Sequence, residues 1–225
     1  MRRALQALLS ALFPQRLNCH ACGTPLRGGD ALLCEACVAS LAYHRFAPHE
    51  AETLVDSAFA FAASAYRYGG AAAALVKALK FQSDYTAALP LAEGMAAVYA
   101  ATPALREPRL CVPVPVHYRR LRMRGYNQAW VLARAFCEQI GAQPPVEALV
   151  RVHHKRSQVW LSREARRGNI RGAFAVHSAM ERAVRGQRVL LVDDVLTTGA
   201  TATDCAEALL AAGAAEVILL TACRA

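Results

Sequence analysis

Residues 188–202, RVLLVDDVLTTGATA, set four apolar residues, Val189 to Val192, before an acidic pair and a threonine-glycine turn. An apolar run this short and rich in branched residues predicts a strand buried on both faces. Downstream, Cys205, Ala208, Leu209 and Ala212 recur at helical spacing and Gly213 offers a stop, which predicts a helix over 202–212. The turn Thr197-Thr198-Gly199-Ala200-Thr201 then joins a strand end to a helix start. Such a turn exposes free backbone N–H groups beside a positive helix terminus and suits a phosphate. Gly199 lets the backbone come close, and the threonine hydroxyls add donors. Asp193 and Asp194 are expected to end the strand just ahead of the turn. There their carboxylates can accept hydrogen bonds from the hydroxyls of a sugar whose phosphate the turn holds.

A strand, two acids and then TTGAT resembles the phosphoribosyl-diphosphate (PRPP) signature of the type I phosphoribosyltransferases. Apart from that resemblance, the order strand, acid, glycine, helix describes a general α/β ligand site. A plain acidic turn capping a helix accounts for one aspartate or one threonine, but not for the whole run. The resemblance implies that Val195, Leu196, Thr197, Thr198, Gly199, Ala200 and Thr201 form the PRPP loop. It implies that Asp193 and Asp194 are the catalytic pair, holding the ribose hydroxyls and stabilising charge at the anomeric carbon.

At 225 residues and 55% hydrophobic, the chain can bury a sizeable core, and one main domain with a small appendage is expected. No apolar stretch approaches the roughly 20 residues that span a bilayer. The start, MRRALQALLSALFP, has the arginines and the apolar run of a secretion signal. Gln6 and Ser10 interrupt that run, however, and no small-x-small cleavage site follows. Leu5, Leu8, Leu9 and Leu12 instead predict an amphipathic helix stopped near Pro14, and a cytoplasmic location is expected. The formal net charge of +9 is uneven: residues 106–171 hold 14 basic residues against 4 acidic. In a domain with a phosphate motif this surplus can neutralise a diphosphate, hold a nucleic-acid backbone or form a solvated surface.

Cys19-His20-Ala21-Cys22 and Cys34-Glu35-Ala36-Cys37 are two CxxC knuckles separated by eleven residues. Cys19, Cys22, Cys34 and Cys37 supply four thiolates, the tetrahedral set of a structural Zn²⁺. Gly23, Pro25, Gly28 and Gly29 between them suit a short ribbon. Residues 1–50 therefore read as an N-terminal helix and a four-cysteine zinc module. Disulfides are the rival reading and need an oxidising compartment, against which the missing signal argues. His20 and His44 are substitute ligands that four cysteines make unnecessary. With no open coordination position the metal would be structural and would stabilise a module too small to fold alone. Cys111, Cys137, Cys205 and Cys223 stand singly in apolar segments and read as small core residues.

Residues 51–225 form the main domain, with its core over 109–225. A strand is expected at 59–63, a turn at 66–70, and helices over 71–81 and 87–100. Tyr66 and Tyr68 read as packing residues, with a base-stacking platform as the alternative. RLCVPVPV, residues 109–116, predicts a strand that ends near Pro113. A basic loop over 117–126, carrying Arg119, Arg120, Arg122 and Arg124, leads into a helix from Asn127 to about Gln139. Residues 149–172 are basic and polar with no clean period. Strands over 173–176, 189–194 and 216–221 complete an alternation that gives a parallel sheet. The type I resemblance implies that part of 114–124 receives the pyrophosphate, with Arg119 and Arg124 among its ligands. It also implies that 149–172 is the loop that closes over the reaction centre. His153, His154, Lys155 and Arg156 are candidates there, Arg156 as a PRPP ligand; the plainer reading of the histidines is solvation.

Taken in order, the paired knuckles, YRYGG, RRLRMRGYNQA, KRSQVWLSREARRGNIRGAF and LVDDVLTTGAT resemble the ComF family of competence-associated proteins. The resemblance covers nearly the whole chain, and Gln158, Leu161, Arg166, Asn169, Gly172, Ala173 and Phe174 carry its more specific part. It implies an α/β, type I phosphoribosyltransferase-like parallel sheet with flanking helices, plus the small N-terminal zinc ribbon. It also implies a link to incoming single-stranded DNA in natural transformation, alongside a helicase-like partner. Two functions follow. One is phosphoribosyl transfer from PRPP to an unidentified acceptor, with Mg²⁺ held mainly by the diphosphate and ribose hydroxyls. The other is non-catalytic binding of single-stranded DNA as an adaptor.

Overall fold

The computed structural model of the protein describes residues 18–26, 31–47, 50, 58–106, 108, 110–152 and 173–225. The expected N-terminal helix and the segment 153–172, with His153, His154, Lys155 and Arg156, lie outside the described residues. In chain order the elements are α1 (Glu35–His44), β1 (Phe61–Arg67), α2 (Gly70–Phe81), α3 (Ala88–Ala101), β2 (Leu110–Pro113), α4 (Tyr118–Arg124) and α5 (Gln128–Gln139). Then come β3 (Leu149–Arg151), β4 (Phe174–Val176), α6 (Glu181–Val184), β5 (Arg188–Leu196), α7 (Ala200–Ala211) and β6 (Glu216–Arg224).

Four strands form a parallel sheet in the order β1-β6-β5-β2. Its centre is apolar on both faces because side chains alternate along each strand. Leu190, Val192, Ile218 and Leu220 pack with Leu79, Leu91, Met95, Leu132 and Phe136 of α2, α3 and α5. Val189, Leu191, Val217 and Leu219 point the other way, onto Cys205 and Leu209 of α7 and Phe174 of β4. Two buried hydroxyls of the sheet satisfy each other, Ser64 Oγ and Thr221 Oγ1, 2.7 Å apart. Among the described residues no helix is long and apolar enough to cross a membrane.

Four expectations change. β1 spans Phe61–Arg67 rather than 59–63, so Tyr66 and Arg67, expected in a turn, belong to the strand. β5 does not stop at the acidic pair but runs through Leu196, because β6 continues beside it and pairs Asp193 with Thr221 and Val195 with Cys223. The strand at 174–176 forms, yet it stands outside the parallel sheet, antiparallel to β3. Three residues on each side are too few to show a period. The basic loop over 117–126 is largely the helix α4. His117 Nδ1 accepts from Arg119 N–H at 3.2 Å to start it, and Gly125, at φ +80°, ends it in a conformation that costs a side-chain-bearing residue strain. The helix buries none of its residues, so no apolar stripe announced it.

Tyr66 packs, as expected: it is fully buried, its hydroxyl donates to Pro90 O, and its ring occupies the space a Cβ on Gly94 would need. Tyr68, two residues on, is 38% exposed and faces the cleft described next.

Candidate functional site

A cleft of about 780 Å³ opens over the carboxyl ends of all four parallel strands, where α/β sheets of this kind hold ligands. Tyr68 follows β1, Ala225 follows β6, Asp193 and Asp194 lie near the end of β5, and Val114 to His117 follow β2. Lys80 of α2, Arg119 and Arg120 of α4, Gln128 of α5 and Arg151 of β3 complete the polar wall.

The turn after β5 joins strand to helix as predicted but spans only Thr197–Gly199, because α7 begins at Ala200. Gly199 sits at φ +77° and directly precedes α7; Ala200 N–H donates to Thr198 Oγ1 at 3.5 Å, and the other N–H groups of the first turn have no side-chain cap and are available to a ligand. Thr197 and Thr198 are exposed, and a hollow of about 60 Å³ is lined by Asp193, residues 195–202 and Thr221. Leu196 instead turns its side chain into the core, leaving only its backbone to the loop.

The two aspartates differ. Asp194 is 3% exposed, and its Oδ1 lies 2.6 Å from Lys80 Nζ. Its Oδ2 is buried without a hydrogen-bond partner. Such an oxygen is an acceptor waiting for a donor from the cleft. Asp193 Oδ1 accepts from the Asp194 N–H at 2.8 Å. Burial first, and then the Asp194 carboxylate, push the Asp193 pKa up to about 8. Nothing in the sequence pattern linked Lys80, 114 residues upstream, to Asp194; only the packing of α2 against the sheet does.

Arg119 lines the cleft, whereas Arg124 reaches its lining only through Gln128. Arg124 Nη1 donates to Gln128 Oε1 at 2.8 Å, its guanidinium covers the Phe81 ring, and its Nε has no partner. Asn127 ties this wall together: Oδ1 caps α5 through Ala129 N–H, and Nδ2 donates to Val114 O, both at 3.0 Å. Arg120, Gln128 and Arg151 join the cleft without having been singled out as PRPP ligands.

At the other end of the chain, the ligand atoms of Cys19, Cys22, Cys34 and Cys37 all lie within 4.8 Å of one another, and Cys22 and Cys34 Sγ are 3.7 Å apart. A tetrahedral ion with metal–sulfur bonds of about 2.3 Å sets its sulfurs ~3.8 Å apart, so the cluster fits such an ion. The Thr24 hydroxyl, 3.1 Å from Cys22 Sγ, lowers the pKa of that thiol, whereas burial raises that of Cys37. All four thiols are free of disulfides. His20 is turned away, its Nδ1 2.6 Å from Asp84 Oδ2, and His44 Nδ1 is 2.7 Å from Ser40 O.

Residues 124–225 match the phosphoribosyl transferase domain. The DNA utilization protein YhgH of Escherichia coli K12 is 34% identical over 153 residues, which are 67% of this chain and 66% of the relative. Competence protein F of Haemophilus influenzae is 33% identical over 146 residues, 64% of this chain and 63% of the relative. The chain belongs to the ComF family. This ComF-family chain thus spans a little under two thirds of the length of the curated relatives it matches. Glutamine PRPP amidotransferase from B. subtilis, solved with ADP and GMP, overlays with a TM-score of 0.42 at 22% identity, covering 61% of this chain and 26% of that one. In the ComF-family chain the matched domain includes the acidic pair, the glycine turn and α5, while Lys80, Tyr68 and the four cysteines lie outside the match.

Proposed function

We propose that the cleft binds PRPP with Mg²⁺ and passes its phosphoribosyl group to an acceptor, and that the four-cysteine cluster is a structural zinc site. The observation that carries the reading is the buried, unpartnered Oδ2 of Asp194 near a helix start preceded by glycine in the left-handed conformation. Residues 197–201 take the 5′-phosphate through backbone N–H groups and threonine hydroxyls. Asp193 and Asp194 take the ribose hydroxyls. Arg119 and Arg120, over the end of β2, take the diphosphate. Held by the diphosphate and ribose hydroxyls, Mg²⁺ would supply positive charge at the leaving group. The bond from the anomeric carbon to the diphosphate oxygen breaks, the diphosphate leaves with the electron pair, and the acceptor forms the new bond. Holding and neutralising these charges is the protein's contribution. An acceptor that displaces the diphosphate approaches from the opposite side, over the ends of β6 and β1, where Tyr68 offers its ring.

Calorimetric titration of the zinc-loaded protein with PRPP and Mg²⁺ tests this, and its pH dependence tests Asp193. Free Asp193 is largely protonated below about 8. Donors from ribose favour its carboxylate, so binding at pH 7 should release a proton and tighten as pH rises toward 8. Heats that do not vary with the ionisation enthalpy of the buffer would remove Asp193 from the site. For the fold the sign is opposite. Between an unfolded pKa of about 4 and the folded value near 8, the native state holds the extra proton. Asp193 therefore costs stability increasingly across that window as pH rises.

A second reading has its own observation. α4 holds four arginines and leaves Tyr118 and Met123 exposed, the latter at 80%. Beside it a groove of about 580 Å³, lined by Tyr118, Tyr126 and Trp130, joins the cleft through Pro115, Val116 and Arg151. Arginines interleaved with aromatic rings suit single-stranded nucleic acid, and the names of the relatives refer to DNA utilization and competence. On this reading the chain serves DNA uptake by binding strands alone or with a helicase-like partner. Oligonucleotide affinity should then fall about tenfold or more between 50 and 200 mM salt and fall again in Tyr118→Ala. Salt-insensitive binding would exclude the groove.

A further inference from the structure

Helix α2 is gripped at both ends by the cysteine module. At its start, Ala71 N–H donates to Ser40 Oγ at 3.1 Å, and Gly69 and Gly70 lie so close to Ser40 and His44 that a Cβ on either would collide. Just beyond its end, Asp84 Oδ2 meets His20 Nδ1 at 2.6 Å, with both side chains under a tenth exposed. These grips begin at the metal cluster itself. Ser40 and His44 lie on α1, which carries Cys37, and His20 lies between Cys19 and Cys22. Between the two anchors, in the last turn of α2, Lys80 reaches Asp194.

We infer that Lys80 is a positioning residue for the phosphoribosyl pocket and that the zinc module sets where Lys80 stands, so that metal binding at one end of the chain tunes ligand binding at the other. The inference rests on the phosphoribosyl reading of the cleft. One oxygen of a nearly buried carboxylate is fixed by an ammonium group at 2.6 Å, which turns the other toward the ligand. The same ammonium offsets the cost of burying the charge. A hydrogen-bonded helix moves as a unit, and a shift of about 1 Å is enough to spoil such a contact. Releasing either anchor of α2 therefore frees Asp194 to rotate without any residue of the cleft being changed.

The test compares wild type, Lys80→Met, Lys80→Arg, His20→Ala and the double variant His20→Ala/Lys80→Met, each with its zinc content measured. PRPP·Mg²⁺ affinity is read by calorimetry. Hydrogen exchange over residues 189–199 is read without ligand. Lys80→Met should bind PRPP about tenfold more weakly with zinc retained, and Lys80→Arg should restore most of the loss. His20→Ala, remote from the cleft, should also weaken binding by about three- to tenfold and speed exchange over 189–199. The double variant should be no weaker than Lys80→Met alone, because both act through one contact. If His20→Ala sheds zinc, Asp84→Ala breaks the same anchor from the other side. Losses that add in full, or a zinc-loaded anchor variant with wild-type affinity and exchange, would overturn the inference. Wild type that binds no PRPP would overturn the phosphoribosyl reading instead, and exchange alone would then decide the coupling.

Discussion

Asp194→Asn should weaken PRPP binding by about 100-fold while the protein stays folded. The carboxylate is fixed on one side and open on the other: Lys80 holds Oδ1, and Oδ2 lacks a partner. The amide keeps the shape but surrenders the charge, and it sets an NH₂ where one of two acceptors stood. Charge-assisted hydrogen bonds contribute about 1.5–3 kcal/mol each, which converts to the expected loss. The fold should survive, because the Lys80 side chain is 22% exposed and can turn to water. Asp193→Asn at pH 7 should be milder, near tenfold, since that carboxyl is already largely protonated there. Its signature is loss of the proton release. Calorimetry on both variants, with melting curves as the folding control, decides. Unchanged affinity in Asp194→Asn would remove the aspartate from the ligand.

Cys37→Ser should release the zinc and lower the melting temperature by about 10 °C. Cys37 is both a member of the four-thiol cluster and a buried residue of α1, whose Leu41 packs, with nearby Phe46, into the core shared with α2 and α3. Losing the metal therefore loosens more than the knuckles. Scanning calorimetry with metal analysis checks this, and Cys205→Ala is the control. Cys205 is buried against the sheet and outside the cluster, so that variant should keep its zinc in full. A Cys37→Ser protein that melts like wild type would mean the cluster holds no structural metal.

The strands β5 and β6, the helices around them and the glycine turn were legible because each is written locally. Branched apolar runs and a 3.6-residue period need no partner to be read. The CxxC pairs were legible for the same reason, since four thiols at short spacing have few other uses. What the sequence concealed depends on distance or on weak patterning. The β3-β4 pair is three residues a side. Helix α4 has no buried face, so four arginines in a row of turns read as loop. The strand end beyond Asp194 is fixed by β6, and no local signal gives that pairing. In the cleft, Asp193, Asp194 and Arg119 stand together. Lys80, Gln128 and Arg151 arrive from separate elements, and Arg124 is held by Gln128, itself part of the lining. His20 looked like a spare metal ligand, and its pairing with Asp84 shows that it serves the junction instead.

The strand order has a consequence for how the chain comes off the ribosome. In the four-stranded sheet β1, at residues 61–67, has only β6 beside it, at residues 216–224. Contacts so far apart in sequence form late and slowly. During synthesis β1 has only the short bridge from Arg45 and Phe46 beside it through about 150 further residues until β6 emerges. The cysteine module can close on its own terms in that interval, given metal. Metal uptake would then fasten α1 and the two glycines that begin α2 well before the sheet exists. The cleft, made from the ends of all four strands, is the last piece of the molecule to be completed.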